Sequence, residues 1–586
     1  MINIEYLNQF KLPIQYVEHK LTNDTIKDDL ELVKFKNINN DSKTDNTSEE
    51  GTKDSLSIYE HIFEPKHIFS KSTSNLWCNY YTTDISFLTQ TQKIIKQFNL
   101  VDYSYNISDF DTIYDIYNSI TTDNNFLEKY QYIDISYFKN FNNNEHVLQT
   151  ISIINLTSPL LSLLLPIILL ILPLFIFRLY GLNLSITSYL YILKQIFTQH
   201  PIGRVFMDFS SASIDKKVYL TFTLVFYMFQ MVQNAKSCYK FYNNLKNMNE
   251  CLNKLNHYID YTIHSFEHFE KQVKHFNKYE QFLSQLNEHK NVLLKYKSKL
   301  ELFSNCNFKL NIMNTGKAMK CFYLLHNNDE LKHSIVYSFG FHGFIDNLDS
   351  LNNKLKKTQI SLCKYKSKTK FKNAYYPIID RKIIKNSYGL NKKILITGPN
   401  ASGKTTMLKT TLLNILFSQQ IGMGFYSKAI IKPYMYLHCY LNIPDTSCRD
   451  SLFQAEARRC KEIIEQLEKS SPHDNHFCIF DELYSGTNPY EAISSSIALL
   501  QYITKHKNID YMLTTHFLDV CKHLDDDTRF MNCYMNIIQK GDDFEYTYKL
   551  LNGISQIKGG VKVLKDLEYP SEIIINTKQI LNTINI

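Results

Sequence analysis

Three short stretches carry residue types suited to phosphate chemistry, and they come in a telling order. The first is Gly398-Pro-Asn-Ala-Ser-Gly403-Lys404-Thr405-Thr406. An apolar run, Ile394-Leu395-Ile396, precedes it, and a helical pattern from Thr405 to Phe417 follows. Strand, glycine-rich turn, helix is the context that a P-loop requires. Glycines let backbone N–H groups approach phosphate oxygens, and the helix N-terminus adds partial positive charge. On this reading Gly398, Pro399, Asn400, Ala401, Ser402, Gly403, Lys404, Thr405 and Thr406 bind a nucleotide. Lys404 is expected at the β- and γ-phosphates of ATP, and the Thr405 hydroxyl on Mg2+.

The second stretch, Phe477-Cys478-Ile479-Phe480-Asp481-Glu482, reads as a buried strand ending in two acids. Asp481 is expected in the Mg2+ shell. Glu482 is expected to polarise the attacking water, for which it must reach hydrogen-bond distance. In the third, Tyr511-Met512-Leu513 leads to Thr514-Thr515-His516. A histidine at that strand end can orient the water, so Glu482 and His516 form the expected catalytic pair. Between these lies Ser451-Leu452-Phe453-Gln454-Ala455-Glu456, ahead of a helix through Ile463, Ile464 and Leu467. Ser451 at a helix start offers N–H groups and a hydroxyl to a phosphate. It serves equally well as an N-cap.

The elements that must position these residues occupy the last part of a 586-residue chain, long enough for two to four domains. An α/β domain is expected over residues 373–586. Upstream the chain reads as mainly helical. Residues 1–57 are polar, and 37–54 are nearly free of apolar side chains, which predicts a disordered linker. Residues 58–145 read as a helical domain without a catalytic constellation.

Residues 146–236 are strongly apolar. Between Glu145 and Arg178 there is no Asp, Glu, Lys or Arg, and a second uncharged run spans 218–235. Uncharged apolar runs of about 18 or more residues are candidate membrane spans. Residues 152–177 and 218–235 therefore allow membrane association, the alternative being a core hairpin broken at Pro159, Pro166 and Pro173.

Residues 237–372 carry a heptad seam through Leu245, Met248, Leu252, Leu255, Ile259, Phe266, Phe269 and Val273. That predicts a long coiled-coil-like arm. The run from Lys354 to Lys372 has eight lysines and no acid, with Tyr365 and Phe371 interleaved. It fits phosphate contact with nucleic acid or, equally, a solvated face. The net charge of +8 is compatible with a polyanion partner without requiring one. The 12 cysteines lack metal-ligand spacing and read as reduced, intracellular packing residues.

The region from about Tyr375 to Asn576 resembles the ATPase domain of the MutS DNA mismatch-repair proteins, a branch of the ABC-type P-loop ATPases. Several stations match in order. Tyr375-Tyr376-Pro377 resembles the family's Arg-His-Pro lead-in, and Gly398 to Thr406 its GPNMGGKST. Ser451 to Glu456 resembles its Ser-Thr-Phe-x-x-Glu, and Asp481 to Asn488 its Asp-Glu-Ile-Gly-Arg-Gly-Thr-Ser. Thr515-His516-Phe517 resembles its Thr-His-Tyr, and Tyr548-Lys549-Leu550 its closing segment.

The resemblance implies ATP hydrolysis with Mg2+ and binding to double-stranded DNA. It also implies a head-to-tail dimer, with itself or a MutS-like partner, in which Ser451, Phe453 and Glu456 close the partner's site in trans. A membrane-anchored mechanical ATPase and a DNA clamp with negligible turnover remain alternatives. Two departures stand out. Tyr484-Ser485 replaces the family's Gly-Arg, and Phe126-Leu127-Glu128 spells only part of its mismatch wedge, without the glycine.

Overall fold

The computed structural model describes residues 9–33, 57–101, 108–180, 186–199, 213–304, 314–378, 383–441, 451–540, 543–555, 557 and 560–583. The chain forms two compact units. One comprises Met1–Asp102, Ser265–Asn287 and Val336–Ile586, and the other Tyr103–His264 and Glu288–Ile335.

The first unit holds all three phosphate-chemistry stretches. Its strands are β1 (Lys20–Leu21), β2 (Tyr80–Tyr81), β3 (Ser361–Tyr365), β4 (Lys370–Ala374), β5 (Asn386–Gly389), β6 (Lys393–Thr397) and β7 (Met423–Gly424). There follow β8 (Lys428–Ile431), β9 (Tyr436–Tyr440), β10 (His476–Asp481), β11 (Ile509–Thr514), β12 (Phe530–Lys540) and β13 (Asp543–Asn552). A six-stranded sheet has the order β13-β12-β6-β11-β10-β9. Its neighbours pair in parallel except β12 with β13. Ile394, Leu395 and Ile396 on β6, and Phe477 to Phe480 on β10, are buried, as continuous apolar strands of a covered parallel sheet must be. The carboxyl ends of β6, β10 and β11 lie side by side, where such sheets place their ligands.

Residues 57–98 pack onto the far end of the helix Lys404–Ile421. Tyr59 donates its hydroxyl to Gln420 Oε1 at 2.6 Å, and Gln420 Nε2 donates to the Trp77 carbonyl at 2.6 Å. Gln92 donates to the Gly422 and Cys363 carbonyls at 2.6 and 2.9 Å. Gly422 has φ 78°, and a Cβ there would come within 2.5 Å of Gln92 Cγ. The expected boundary at 58–145 is therefore cut differently in space, near residue 102. The reason is burial: Tyr59, Phe63, Trp77, Phe87 and Ile95 are apolar surfaces that need a covering. The expected polar 1–57 segment also changes. Residues 9–33 are ordered, with Phe10, Leu12 and Ile14 buried, while the linker expected at 37–54 lies outside the described residues.

The basic run is built from a helix end, two strands and the turns between them. It spans the end of the helix Asp329–Lys356 and then β3 and β4, in the five-stranded sheet β5-β4-β8-β3-β7. Lys354 is buried and ion-paired to Glu64. Phe371 packs against Tyr388 and Tyr426, and the Tyr365 hydroxyl donates to the Ser418 carbonyl at 2.7 Å. The interleaved aromatics pack inward: Phe371 is buried and Tyr365 is half-buried. Lys364, Lys366, Lys368, Lys370 and Lys372 are exposed.

The second unit is helical among its described residues. It includes Ser108–Thr121, the helix Glu145–Leu179, Ile186–Gln199 and most of the 60-residue helix Ile214–Val273. The heptad residues Leu245, Met248, Leu252, Leu255 and Ile259 form a buried stripe on that helix. Phe126 is buried and stacks on Phe322 and His326, with ring centroids at 5.5 and 4.1 Å. A packed core ring cannot act as a mismatch wedge. The helix Glu145–Leu179 runs through Pro159, Pro166 and Pro173 without a break.

Candidate functional site

Gly403 takes φ 92° and Lys404 begins the helix, so the turn after β6 closes tightly over the helix N-terminus. A Cβ on Gly403 would meet the Tyr548 ring at 3.1 Å, and one on Gly398 would meet Ser402 Oγ at 2.9 Å. Both positions need the missing side chain. Ala401, Glu482, Tyr484 and Tyr548 have φ between 52° and 60°. Left-handed backbone at Ala401, Glu482 and Tyr548, which line one cavity, is strain that the surrounding structure must hold.

Lys404 is buried. Its Nζ donates to the Gly398 and Pro399 carbonyls at 3.1 and 3.3 Å and lies 3.0 Å from His516 Nε2. Glu482 Oε1 is 2.9 Å from the same Nε2 and 3.8 Å from Lys404 Nζ. Burial pulls the Lys404 ammonium below its ordinary pKa, against the pull of the Glu482 and Asp481 charges. The hydrogen bond from His516 holds the Glu482 carboxyl below its ordinary range, opposed by burial and assisted by the His516 and Lys404 charges. Thr405 Oγ1 donates to Asp481 Oδ2 at 2.8 Å, and the Thr514 hydroxyl donates to the other carboxylate oxygen. Asp481 and Thr514 are opposite each other at the ends of β10 and β11.

These side chains stand beside a cavity of ≈ 490 Å³. Asn400 to Met407, Glu482, Tyr376, Asn386, Met535 and Tyr548 line it. Buried Ser402 Oγ has no hydrogen-bond partner. An orphaned hydroxyl within a glycine turn, next to a buried ammonium, fits an anionic group carrying acceptor oxygens. The Thr405–Asp481 pair offers the hard oxygen ligands that Mg2+ prefers.

The structure thus brings together Lys404, Thr405, Asp481, Glu482 and His516. It places Ser451, Phe453 and Glu456 elsewhere. Ser451 is exposed and caps the helix Leu452–Lys469, accepting from Gln454 N. Phe453 packs on Tyr484 with centroids 5.5 Å apart. Buried Glu456 accepts from Ser485 N, Ser485 Oγ and Gly486 N at 3.0–3.2 Å. None of the three lines the cavity. Tyr376 and Tyr548 do line it; both lie inside quoted motif stations but had no assigned role. Asn386 and Met535 carry no local signal and reach the cavity only through tertiary packing.

Residues 394–585 match the family model described as MutS domain V. The C-terminal third of this chain is MutS-like. An "Endonuclease MutS2" of Staphylococcus epidermidis is 26% identical over 215 residues, covering 36% of this chain and 27% of the relative. A "DNA mismatch repair protein MutS" of Pelotomaculum thermopropionicum is 27% identical over 196 residues, 33% of this chain and 22% of that protein. An "Endonuclease MutS2" of Lactococcus lactis subsp. lactis is 29% identical over 207 residues, 34% of this chain and 26% of that protein. The matched part of the MutS-like chain thus spans about a quarter of these relatives' length. It is the part that holds the lysine, the carboxylates and the histidine described above.

Proposed function

We propose that the MutS-like domain binds ATP with Mg2+ and hydrolyses it, and that the chain acts as a dimer on double-stranded DNA. The observation that carries the ATPase reading is the meeting of Lys404, Glu482 and His516 within 3.8 Å beside the glycine turn. In this reading the turn's N–H groups and Lys404 hold the phosphates, and Thr405 and Asp481 hold the metal. Bound Mg2+ neutralises charge on the phosphate oxygens. The Glu482 carboxylate accepts a proton from the attacking water, and His516 fixes the carboxylate's orientation. In this reading Tyr376 and Tyr548, which line the cavity, contact the bound nucleotide.

The DNA and dimer parts rest on the MutS likeness and on the exposed lysines of β3 and β4. The relatives' names support a role in mismatch repair or a related handling of DNA structure.

The test compares purified wild type, Lys404→Ala and Glu482→Gln. Lys404→Ala is expected to weaken ATP binding. Glu482→Gln is expected to keep ATP and to lower hydrolysis by about 10²-fold or more, the scale of a lost general base. Wild-type turnover in Glu482→Gln removes the catalytic assignment. Unchanged nucleotide affinity in Lys404→Ala removes the binding one.

A further inference from the structure

The two uncharged runs touch within the helical unit, over Leu156 to Ser162 on one helix and Tyr227 to Cys238 on the other. Tyr227 donates its hydroxyl to the Ser162 carbonyl at 3.4 Å, Ser162 Oγ touches Met231 Sδ at 3.3 Å, and Cys238 Sγ donates to the Leu156 carbonyl at 3.2 Å. Residue numbers rise on one helix as they fall on the other, so the pair is antiparallel. The outward sides are apolar and exposed. Leu160, Leu163, Phe222 and Val225 are 57%, 56%, 70% and 60% exposed, and Phe226, Phe229 and Val232 continue the surface. At about 100° per residue Phe222, Val225, Phe226, Phe229 and Val232 span roughly 120° of the circumference of Ile214–Val273, the width of the stripe that a surface helix turns to a core, and here that stripe is exposed. In water such a surface is an aggregation liability.

The dimensions are those of a bilayer. Residues 218–235 lie between Lys217 and Lys236, and 18 residues of helix rise about 27 Å against a hydrocarbon core of about 30 Å. Exposed tyrosines mark both ends: Tyr180 and Tyr219 at one, Tyr239 and Tyr242 at the other. Tyrosines and basic residues gathered at the ends of an apolar run are what the two interfaces of a membrane select.

The prolines give an independent argument. A proline leaves the carbonyl four residues earlier without its helical donor, at about 3 kcal/mol or more in a soluble helix. Pro159 frees the Asn155 carbonyl, and Ser158 Oγ donates to it at 3.2 Å. Pro166 frees the Ser162 carbonyl, which receives the Tyr227 hydroxyl from the neighbouring helix. Side-chain hydroxyls that replace the lost donors are needed where no water reaches the backbone.

We propose that residues 152–177 and 218–235 insert into a lipid bilayer as an antiparallel helical hairpin. This reading is independent of the ATPase assignment. It is tested with the full chain and phosphatidylcholine vesicles. The chain is expected to float with the vesicles at high salt and to resist an alkaline carbonate wash. Phe222→Lys with Val225→Lys is expected to abolish flotation while the helical circular dichroism is kept. Binding only to anionic vesicles, reversed by salt, overturns insertion in favour of surface adhesion by the lysines. A lipid-indifferent soluble oligomer overturns it in favour of a second copy covering the face. A measurement on the unaltered chain guards against misfolding of the variant. Vesicle-bound protein treated with protease is expected to retain peptides covering 218–235, and cleavage within them overturns the proposal.

Discussion

His516 Nε2 sits 2.9 Å from Glu482 Oε1 and 3.0 Å from Lys404 Nζ. One ring nitrogen cannot donate to the carboxylate and accept from the ammonium at the same time. The lysine and the glutamate therefore compete for it, and a phosphate that draws Lys404 away leaves the histidine to the glutamate.

A pH dependence follows. Glu482 is held below its ordinary range chiefly by the His516 hydrogen bond. A base with a depressed pKa stays deprotonated, and therefore active, to lower pH. Replacing His516 with Ala removes that bond, so the Glu482 carboxyl rises toward its ordinary range of about 4.3. The acid limb of the hydrolysis profile is expected to move to higher pH, in addition to any loss of rate. A pH–rate profile of the variant whose acid limb stays in place contradicts the coupling.

Ser451 lies outside the cavity of its own domain and is exposed. If it completes the site of another copy, ATP traps the pair. Glu482→Gln with ATP and Mg2+ is expected to accumulate as a dimer by light scattering, and Ser451→Arg in the same background to stay monomeric. A monomer throughout, at well above micromolar protein, removes trans closure.

The exposed lysines of β3, β4 and the turn between them are expected to contact DNA phosphates. Replacing Lys364, Lys366, Lys368 and Lys370 with Ala should flatten the log–log salt slope by up to about 0.9 for each lost contact. Matched and mismatched duplexes should respond alike, because phosphate contacts carry no direct sequence information and Phe126 is buried. A slope equal to wild type returns these lysines to a solvated face.

Gly422 ends the helix Lys404–Ile421 in the left-handed region with Gln92 against it. Gly422→Ala is expected to destabilise the first unit by about 1–3 kcal/mol, the scale of a strained backbone position. Adding Gln92→Ala relieves that contact but gives up the Gln92 hydrogen bonds to the Gly422 and Cys363 carbonyls and keeps the φ strain, so the double variant is expected to stay less stable than wild type. Urea unfolding of the two variants measures both losses.

The sequence by itself determined which residues the C-terminal domain brings to the carboxyl ends of β6, β10 and β11. Glycine spacing before Lys404, the apolar strand ending in Asp481-Glu482 and the strand before His516 are local patterns, each dictated within a few residues by backbone conformation and burial. The heptad seam through Leu245 and Leu255 was legible for the same reason, since helical periodicity is a local property. Tertiary structure alone decided where 9–33 and 57–98 belong, because residues such as Phe10 and Gln92 find their partners far along the chain. It also decided that Lys354, on the helix Asp329–Lys356, is buried while Lys364, on β3, is exposed, a matter of which side of each element meets the core. The pairing of Ser162 with Tyr227 across 65 residues is of the same kind. An apolar run shows in the sequence, but only its placement shows that its outward side is left uncovered.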